Sequence, residues 1–119
     1  MKFLTIIAAA TFLFFATSCV QKTKKRTVVY TVDVSKVNNV EKVGIRGWDA
    51  PLSWNEDFPM KKTTKSHIYQ VAITSNTGRI CTQFKFAVND IIEEGENRKI
   101  YFDAKKDTTY VSLTFGKKE

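Results

Sequence analysis

The chain has 119 residues and a net charge of +7, and its length suits one modest domain. Five of the nineteen basic residues precede residue 27, whereas residues 27–119 hold fourteen bases against twelve acids. A nucleic-acid-binding protein should carry its basic patch on the folded domain, so this distribution argues against a nucleic-acid partner. One histidine and two cysteines form no cluster with the spacing of a metal site, so we expect neither a metal nor another cofactor.

The first nineteen residues have the pattern of an export signal. Lys2 precedes an apolar run over residues 3–16, which is too short for a helix that spans a bilayer of about 30 Å. Ser18-Cys19 then closes the run and resembles the lipobox of bacterial lipoproteins, although Ala16 stands where that family usually has leucine. The resemblance implies cleavage before Cys19 and acylation of its thiol. The alternative is an ordinary cleaved signal in which Cys19 is incidental.

We therefore divide the chain into a signal peptide (1–18), a lipid-anchored basic tether (19–26) and one domain (27–119). The tether is polar and without periodicity, so it either lies near anionic head groups or is simply solvated. Similarity to lipoproteins implies a place in the cell envelope, at the outer membrane. Some lineages mark surface export with acids after the cysteine; residues 20–25 contain none, which favours the periplasmic face.

From Thr27 onward, apolar residues alternate with period two, which is typical of strands with one buried face. Strands are predicted at 28–34, 43–45, 69–73, 81–88, 100–102 and 111–115, with turns at 38–39, 75–78 and 89–90. No segment after residue 19 has a helical period. The pattern predicts an all-β fold, an antiparallel immunoglobulin-like β-sandwich of about six to eight short strands. Its predicted core comprises Val32, Val34, Val43, Ile45, Val71, Ile73, Phe84, Phe86, Ile100, Val111, Leu113 and Phe115.

The longest irregular stretch, residues 47–66, contains both tryptophans. Trp48 follows a strand end directly, so we expect it to cap the core. Trp54 lies among polar residues, and we expect it to be partly exposed, where an indole offers a flat apolar face to a ligand.

Enzymatic function is not expected. His67 is the only histidine, has no nucleophile motif nearby and is interpreted as a surface or strand-edge residue. The acids of residues 93–96 lie on one short loop beside Arg98 and are interpreted as a solvated turn rather than a pair of catalytic carboxylates. Cys81 begins a strand, so a buried or strand-edge thiol is expected.

Five segments of the domain form a recognisable series: Val43-Gly44-Ile45-Arg46-Gly47, Leu52-Ser53-Trp54, Ile68-Tyr69-Gln70-Val71, Phe84-Lys85-Phe86, and Ile92-Glu93-Glu94-Gly95-Glu96-Asn97-Arg98. Their order resembles a starch-binding domain of carbohydrate-binding module family 20. That family has a strand ending in glycine, a Leu-Gly-x-Trp loop, a Trp-x-x-x-Val strand, a Tyr-Lys-Phe strand and a Trp-Glu-x-x-x-Asn-Arg motif. The resemblance covers about residues 28–115.

The resemblance implies non-catalytic binding of an α-glucan, as oligosaccharide or polysaccharide. Its principal site maps to Trp54, Lys85, Ile92 and Asn97, with Glu93 bordering the site beside Ile92. Since Ile92 replaces one of two indoles that sandwich glucose units, we expect weak glucan binding or a changed ligand. The same substitution favours the alternative, a β-sandwich interaction module for an envelope protein, with a decayed sugar site.

Overall fold

The computed structural model describes residues 22–117, and within that range nine strands form two sheets. The strands are β1 (Lys24–Asp33), β2 (Val43–Gly47), β3 (Phe58–Pro59), β4 (Lys61–Lys62), β5 (Ile68–Thr77), β6 (Cys81–Val88), β7 (Ile91–Ile92), β8 (Arg98–Tyr101) and β9 (Thr108–Thr114). The signal-peptide prediction and Cys19 lie outside the described residues. Along residues 22–117, no helix has the length and apolar character needed to cross a membrane.

The first sheet has the strand order β4-β5-β1-β9. β1 pairs with β5 in antiparallel fashion over its full length, from Lys24 opposite Thr77 to Asp33 opposite Ile68. β9 lies on the other side of β1 and runs parallel to it. Val28, Tyr30 and Val32 alternate with half-buried residues along β1, so one face of this sheet supplies half of the core.

The second sheet has the order β3-β2-β6, and two short strands share the far side of β6. β8 pairs with the first half of β6, residues Cys81–Phe84, whereas β7 pairs with its last two residues, Ala87–Val88. The loop of residues 93–97 therefore leaves the sheet opposite the middle of β6. This gap in the strand pairing brings the loop next to Lys85 and Phe86.

The core lies between the inner faces of the two sheets. Phe84 of the second sheet is fully buried and meets the ring of Tyr30 from the first sheet edge-on, with ring centroids 4.7 Å apart. Phe86 packs against Phe84 at 5.5 Å. Burial of each large side chain of this kind contributes about 1.5–3 kcal/mol before conformational entropy is subtracted. These aromatic contacts hold the sheets together at the centre of the domain.

The predicted all-β sandwich is confirmed, and the six longer predicted strands are all present. Some details of the prediction are wrong. Residues 75–77 continue β5 instead of turning, because they pair with Lys24–Arg26, and β1 begins at Lys24, four residues before the predicted strand at 28–34. Among described strands, the β1–β9 pair is parallel, which departs from a purely antiparallel sandwich.

Candidate functional site

The outer face of β6 carries the lysine singled out in the sequence. Phe84 and Phe86 point into the core, so Lys85 between them faces outward, as predicted. In the pairing with β2, Lys85 lies directly opposite Arg46, and paired residues share a face of the sheet. The two cationic side chains therefore stand in one row on the outside of the second sheet.

Arg46 holds the Trp54 segment against this row. Its Nε donates to Asp57 Oδ1 at 2.6 Å, and its Nη1 donates to the Trp54 carbonyl oxygen at 3.2 Å. Trp54 is half-buried, which confirms its predicted partial exposure. The ion pair with Asp57 offsets the charge of Arg46, so Lys85 is the cation of this row that would present its charge to a ligand.

Asn97, in the loop that follows β7, is hydrogen-bonded to the same outer face of β6. Gln83 shares the outward direction of Lys85, two residues along β6, and its Oε1 accepts a hydrogen bond of 3.1 Å from Asn97 Nδ2. Lys85 Nζ donates to the carbonyl oxygen of Gly95 in the same loop. An ammonium group has three N–H donors, so this bond leaves Lys85 able to donate to a ligand hydroxyl.

Ile92 lies at the edge of the face. It is half-buried and pairs with Ala87 of β6, which shares the outward direction of Lys85. The structure thus brings the segments that carry Trp54, Lys85, Ile92 and Asn97 to one side of the second sheet. Where their side chains converge, an indole, an ammonium, an amide and an apolar wall would together suit a neutral polyhydroxylated ligand.

Glu93 has a different position from the one expected. It is 6 % exposed, and its carboxylate lies beneath the loop rather than on the ligand-facing surface. Its Oε1 accepts hydrogen bonds from Phe86 N and Arg98 Nε, and its Oε2 accepts from Arg98 Nη2 and Gly116 N. Four donors saturate the two carboxylate oxygens. The interpretation of residue 93 as part of a solvated turn is therefore wrong.

The titration of Glu93 reflects this environment. Desolvation by burial raises the pKa of the carboxyl, but the hydrogen bonds from Arg98 and from the backbone N–H groups of Phe86 and Gly116 outweigh it and lower the pKa below its usual value. The folded protein therefore favours the ionised carboxylate of Glu93. The last motif, Glu-x-x-x-Asn-Arg, thus encodes a buried ion pair between its first and last residues in addition to the exposed amide of Asn97.

Trp48 does not cap the core, so that prediction is wrong. Its indole is 41 % exposed, and the guanidinium of Arg79 stacks over it, 4.5 Å from a ring centroid. Leu52 fills the end of the core instead, against Gly47, where an added Cβ would lie 2.9 Å from its Cδ1. Nothing in the sequence indicates that Leu52 rather than Trp48 closes the core, because Arg79, which contacts the indole, is distant from Trp48 along the chain.

The remaining candidate residues, His67 and Cys81, lie at or just before the starts of strands. His67 is exposed and precedes β5 directly, as expected, and Cys81 is a half-buried free thiol at the start of β6. Within residues 22–117, no group of three or more histidine, cysteine, aspartate or glutamate side chains is placed to hold a metal ion.

Comparison with known proteins supports the fold alone. No protein-family model matches the sequence, and no curated protein matches it. Among solved structures, the chain is similar to the Gamma-CGTase from Alkalophilic bacillus clarkii, with a TM-score of 0.58 and 20% sequence identity. The similarity covers 79% of this chain and 15% of that one, so the chain corresponds to a small part of the larger protein.

Proposed function

We propose that the protein binds an α-glucan or a related oligosaccharide without catalysing a reaction, and that it does so in the cell envelope on a lipid anchor at Cys19. One observation carries the binding proposal: Arg46 and Gln83 hold the Trp54 and Asn97 segments on the same sheet face as Lys85. In this proposal Trp54 stacks on a sugar ring, while Lys85 and Asn97 donate to its hydroxyls.

The solved neighbour is consistent with a binding module. Similarity to 15% of the Gamma-CGTase chain suits one module of a larger protein rather than a whole catalytic unit. The sequence resemblance to starch-binding domains points to the same ligand class. Glu93 enters the proposal indirectly, since it holds the loop that presents Asn97.

Binding is expected to be weak. Loss of one stacking indole at Ile92 should cost about 1–3 kcal/mol, by analogy with the stacking of bases on aromatic side chains. Ile92 offers an apolar wall in place of that stack. Affinities in the millimolar range for maltoheptaose would fit this arrangement.

Calorimetric titration with maltoheptaose and β-cyclodextrin tests the proposal. We expect heat of binding from the wild-type protein and a loss of more than about ten-fold in affinity from Trp54→Ala or Lys85→Met. Trp48→Ala is the matched control, because it removes the other tryptophan and should leave affinity unchanged. Equal losses from the two tryptophan variants, or no heat from the wild type, would contradict the proposed site.

A second candidate function is an interaction module for an envelope protein. Ile92 favours it, because Ile91 beside it is 70 % exposed and the two form an apolar edge on β7. The variant Ile92→Trp separates the two functions. If the sugar-site geometry is intact, the new indole should raise maltoheptaose affinity by roughly 5- to 150-fold, whereas a decayed site should show no gain.

A further inference from the structure

One end of the sandwich gathers the features of a membrane-facing surface. We define this basal end as residues 22–26, 48–50, 79–80 and 101–107, where β1 and β6 begin and β8 ends. Hydrogen bonds join its parts: Phe102 N donates to the Ile80 carbonyl at 2.9 Å, and Arg26 Nη1 donates to the Asp103 carbonyl at 2.9 Å. After Leu52 the chain lies beside the end of β2, where Gly47 N donates to the Ser53 carbonyl oxygen at 3.3 Å.

Exposed apolar side chains are concentrated on the basal end. Trp48, Ile80 and Tyr101 are 41 %, 69 % and 61 % exposed. In residues 22–117 two other large hydrophobic side chains are similarly exposed, and they lie apart, Ile91 on β7 and Tyr110 on β9. Tryptophan and tyrosine favour the boundary between water and hydrocarbon, because each combines an apolar ring with a polar group.

The basal end is also strongly basic. Its seven basic residues face three acids, and the bases are Lys22, Lys24, Lys25, Arg26, Arg79, Lys105 and Lys106. Two of the acids are already engaged, Asp49 by Arg79 at 3.7 Å and Asp107 by Lys24 at 3.2 Å. The net positive charge is complementary to anionic lipid head groups.

The sequence before β1 leads to the same end. Cys19 stands five residues before Lys24, a distance of no more than about 18 Å even when the chain is fully extended. We infer that the basal end rests on an anionic bilayer surface, with Trp48 and Tyr101 among the head groups. The inference relies on the lipid anchor proposed above. It stands the strands upright on the membrane, so the outer face of the second sheet points sideways and the candidate sugar site stays open to solution.

The two tryptophans provide the test. The Trp54→Phe variant of the full chain, purified from membranes, contains Trp48 alone and is reconstituted into vesicles whose acyl chains are brominated near the head groups. With phosphatidylglycerol in the vesicles, Trp48 fluorescence should be quenched more strongly than in pure phosphatidylcholine. Lys105→Gln with Lys106→Gln should reduce the docked fraction, by roughly five-fold in the docking equilibrium for each lysine.

Two controls make the result decisive. Lys36→Gln with Lys65→Gln makes the same charge change at the opposite end and should leave quenching unaltered. In the Trp48→Phe protein, Trp54 should be quenched less by brominated lipid than Trp48 is. The docking is overturned if Trp48 quenching is the same with and without phosphatidylglycerol and with and without Lys105 and Lys106. It is also overturned if Trp54 is quenched as strongly as Trp48.

The anchor is tested separately. Labelling of growing cells with an alkyne fatty acid should mark the wild-type chain and not Cys19→Ser. An acylated chain whose Trp48 is not quenched overturns the docked orientation and leaves the anchor and the sugar site intact. A wild-type chain that takes up no label overturns the anchor and the docking together, while sugar titration still decides the binding proposal.

Discussion

At the residue scale, Glu93 replaces a missing strand partner. On the side of β6 away from β2, no described strand lies beside Phe86. There Glu93 N donates to the Phe86 carbonyl oxygen and Glu93 Oε1 accepts from Phe86 N, as a neighbouring strand would. The same carboxylate binds Arg98 in a bidentate pair, and Arg98 Nη2 also donates to the carbonyl of Thr114 at the end of β9. One ion pair therefore links both sheets and fixes the loop that carries Asn97.

Glu93→Gln should destabilise the fold, because it leaves the Arg98 guanidinium buried beside a neutral group. Removal of one partner of a buried pair costs about 3–5 kcal/mol, and the side chains of Glu93 and Arg98 are only 4% and 8% exposed. Urea unfolding at neutral pH measures the loss. Glu94→Gln on the exposed side of the loop is the control and should change the unfolding free energy by less than about 0.5 kcal/mol.

The same variant should alter the pH dependence of stability. Because folding lowers the pKa of Glu93, its contribution is present above the usual value of 4.5 and is lost as the pH falls through the lower pKa of the folded state. The difference in unfolding free energy between wild type and Glu93→Gln should therefore shrink as the solution is acidified below pH 4.5. A difference that stayed constant in acid would show that the carboxylate charge is not what stabilises the loop.

Local sequence could not reveal this arrangement. Three acids and a glycine in residues 93–96 predict a solvated loop, and only the spacing from Glu93 to Arg98, through the family resemblance, marked the segment as special. Burial of Glu93 depends on Phe86 across the β7 turn and on Gly116, which is distant in sequence. Trp48 is the opposite case, a residue expected to be buried that is exposed. Its position after a strand end suggested burial, but its indole packs against Arg79 on the surface.

At the scale of elements, the close approach of the 54–59 segment to β2 positions Trp54. Gly44 makes this approach possible, because a Cβ there would lie 2.7 Å from the Cβ of Asp57. The side chain of Asp57 then reaches Arg46. Gly44 thus determines how closely the 54–59 segment packs against β2.

Gly44→Ala should force Asp57 away from β2 and cost about 1–3 kcal/mol of unfolding free energy, as overpacking typically does. It should also shift the emission of Trp54 in a Trp48→Phe background, where no other tryptophan contributes. A double-mutant cycle with Asp57→Gly identifies the cause: the penalty of Gly44→Ala should fall when the opposing Cβ is absent. Additive effects would place the strain elsewhere.

Alternation predicted the long elements and their buried faces well, because a half-buried strand must alternate. Val32 and Val34 are buried as expected, and Val28 and Tyr30 of the same alternation are buried with them. β3, β4 and β7 escaped prediction, since two residues are too few to show a period and their pairing depends on partners elsewhere in the chain. Core positions contributed by loops, Leu52 and Met60, were missed for the same reason.

At the scale of the whole molecule, the centre of the core lies directly behind the candidate site. Phe84 is between Gln83 and Lys85 in β6, and its ring contacts Tyr30 of the opposite sheet. The position of Gln83 and Lys85 in the candidate site therefore depends on how firmly Phe84 holds the two sheets together.

Phe84→Ala should lower the unfolding free energy by about 3–5 kcal/mol, because the cavity would open at the contact between the sheets. Ile91→Ala removes an exposed apolar side chain and should stay within about 0.5 kcal/mol of wild type. Urea denaturation of both variants makes the comparison. A small effect of Phe84→Ala would mean that the sheets are held together mainly at their edges.

The parallel neighbours β1 and β9 have a mechanical consequence. Thr27 lies opposite Thr108 and Asp33 opposite Thr114, so the two strands run side by side in one direction. Tension applied between the start of β1 and the end of β9 would act along both strands in opposite senses and load their hydrogen bonds in shear, all together. Such a geometry resists rupture far better than one in which strands peel apart bond by bond, so the domain should withstand pulling between the start of β1 and the end of β9.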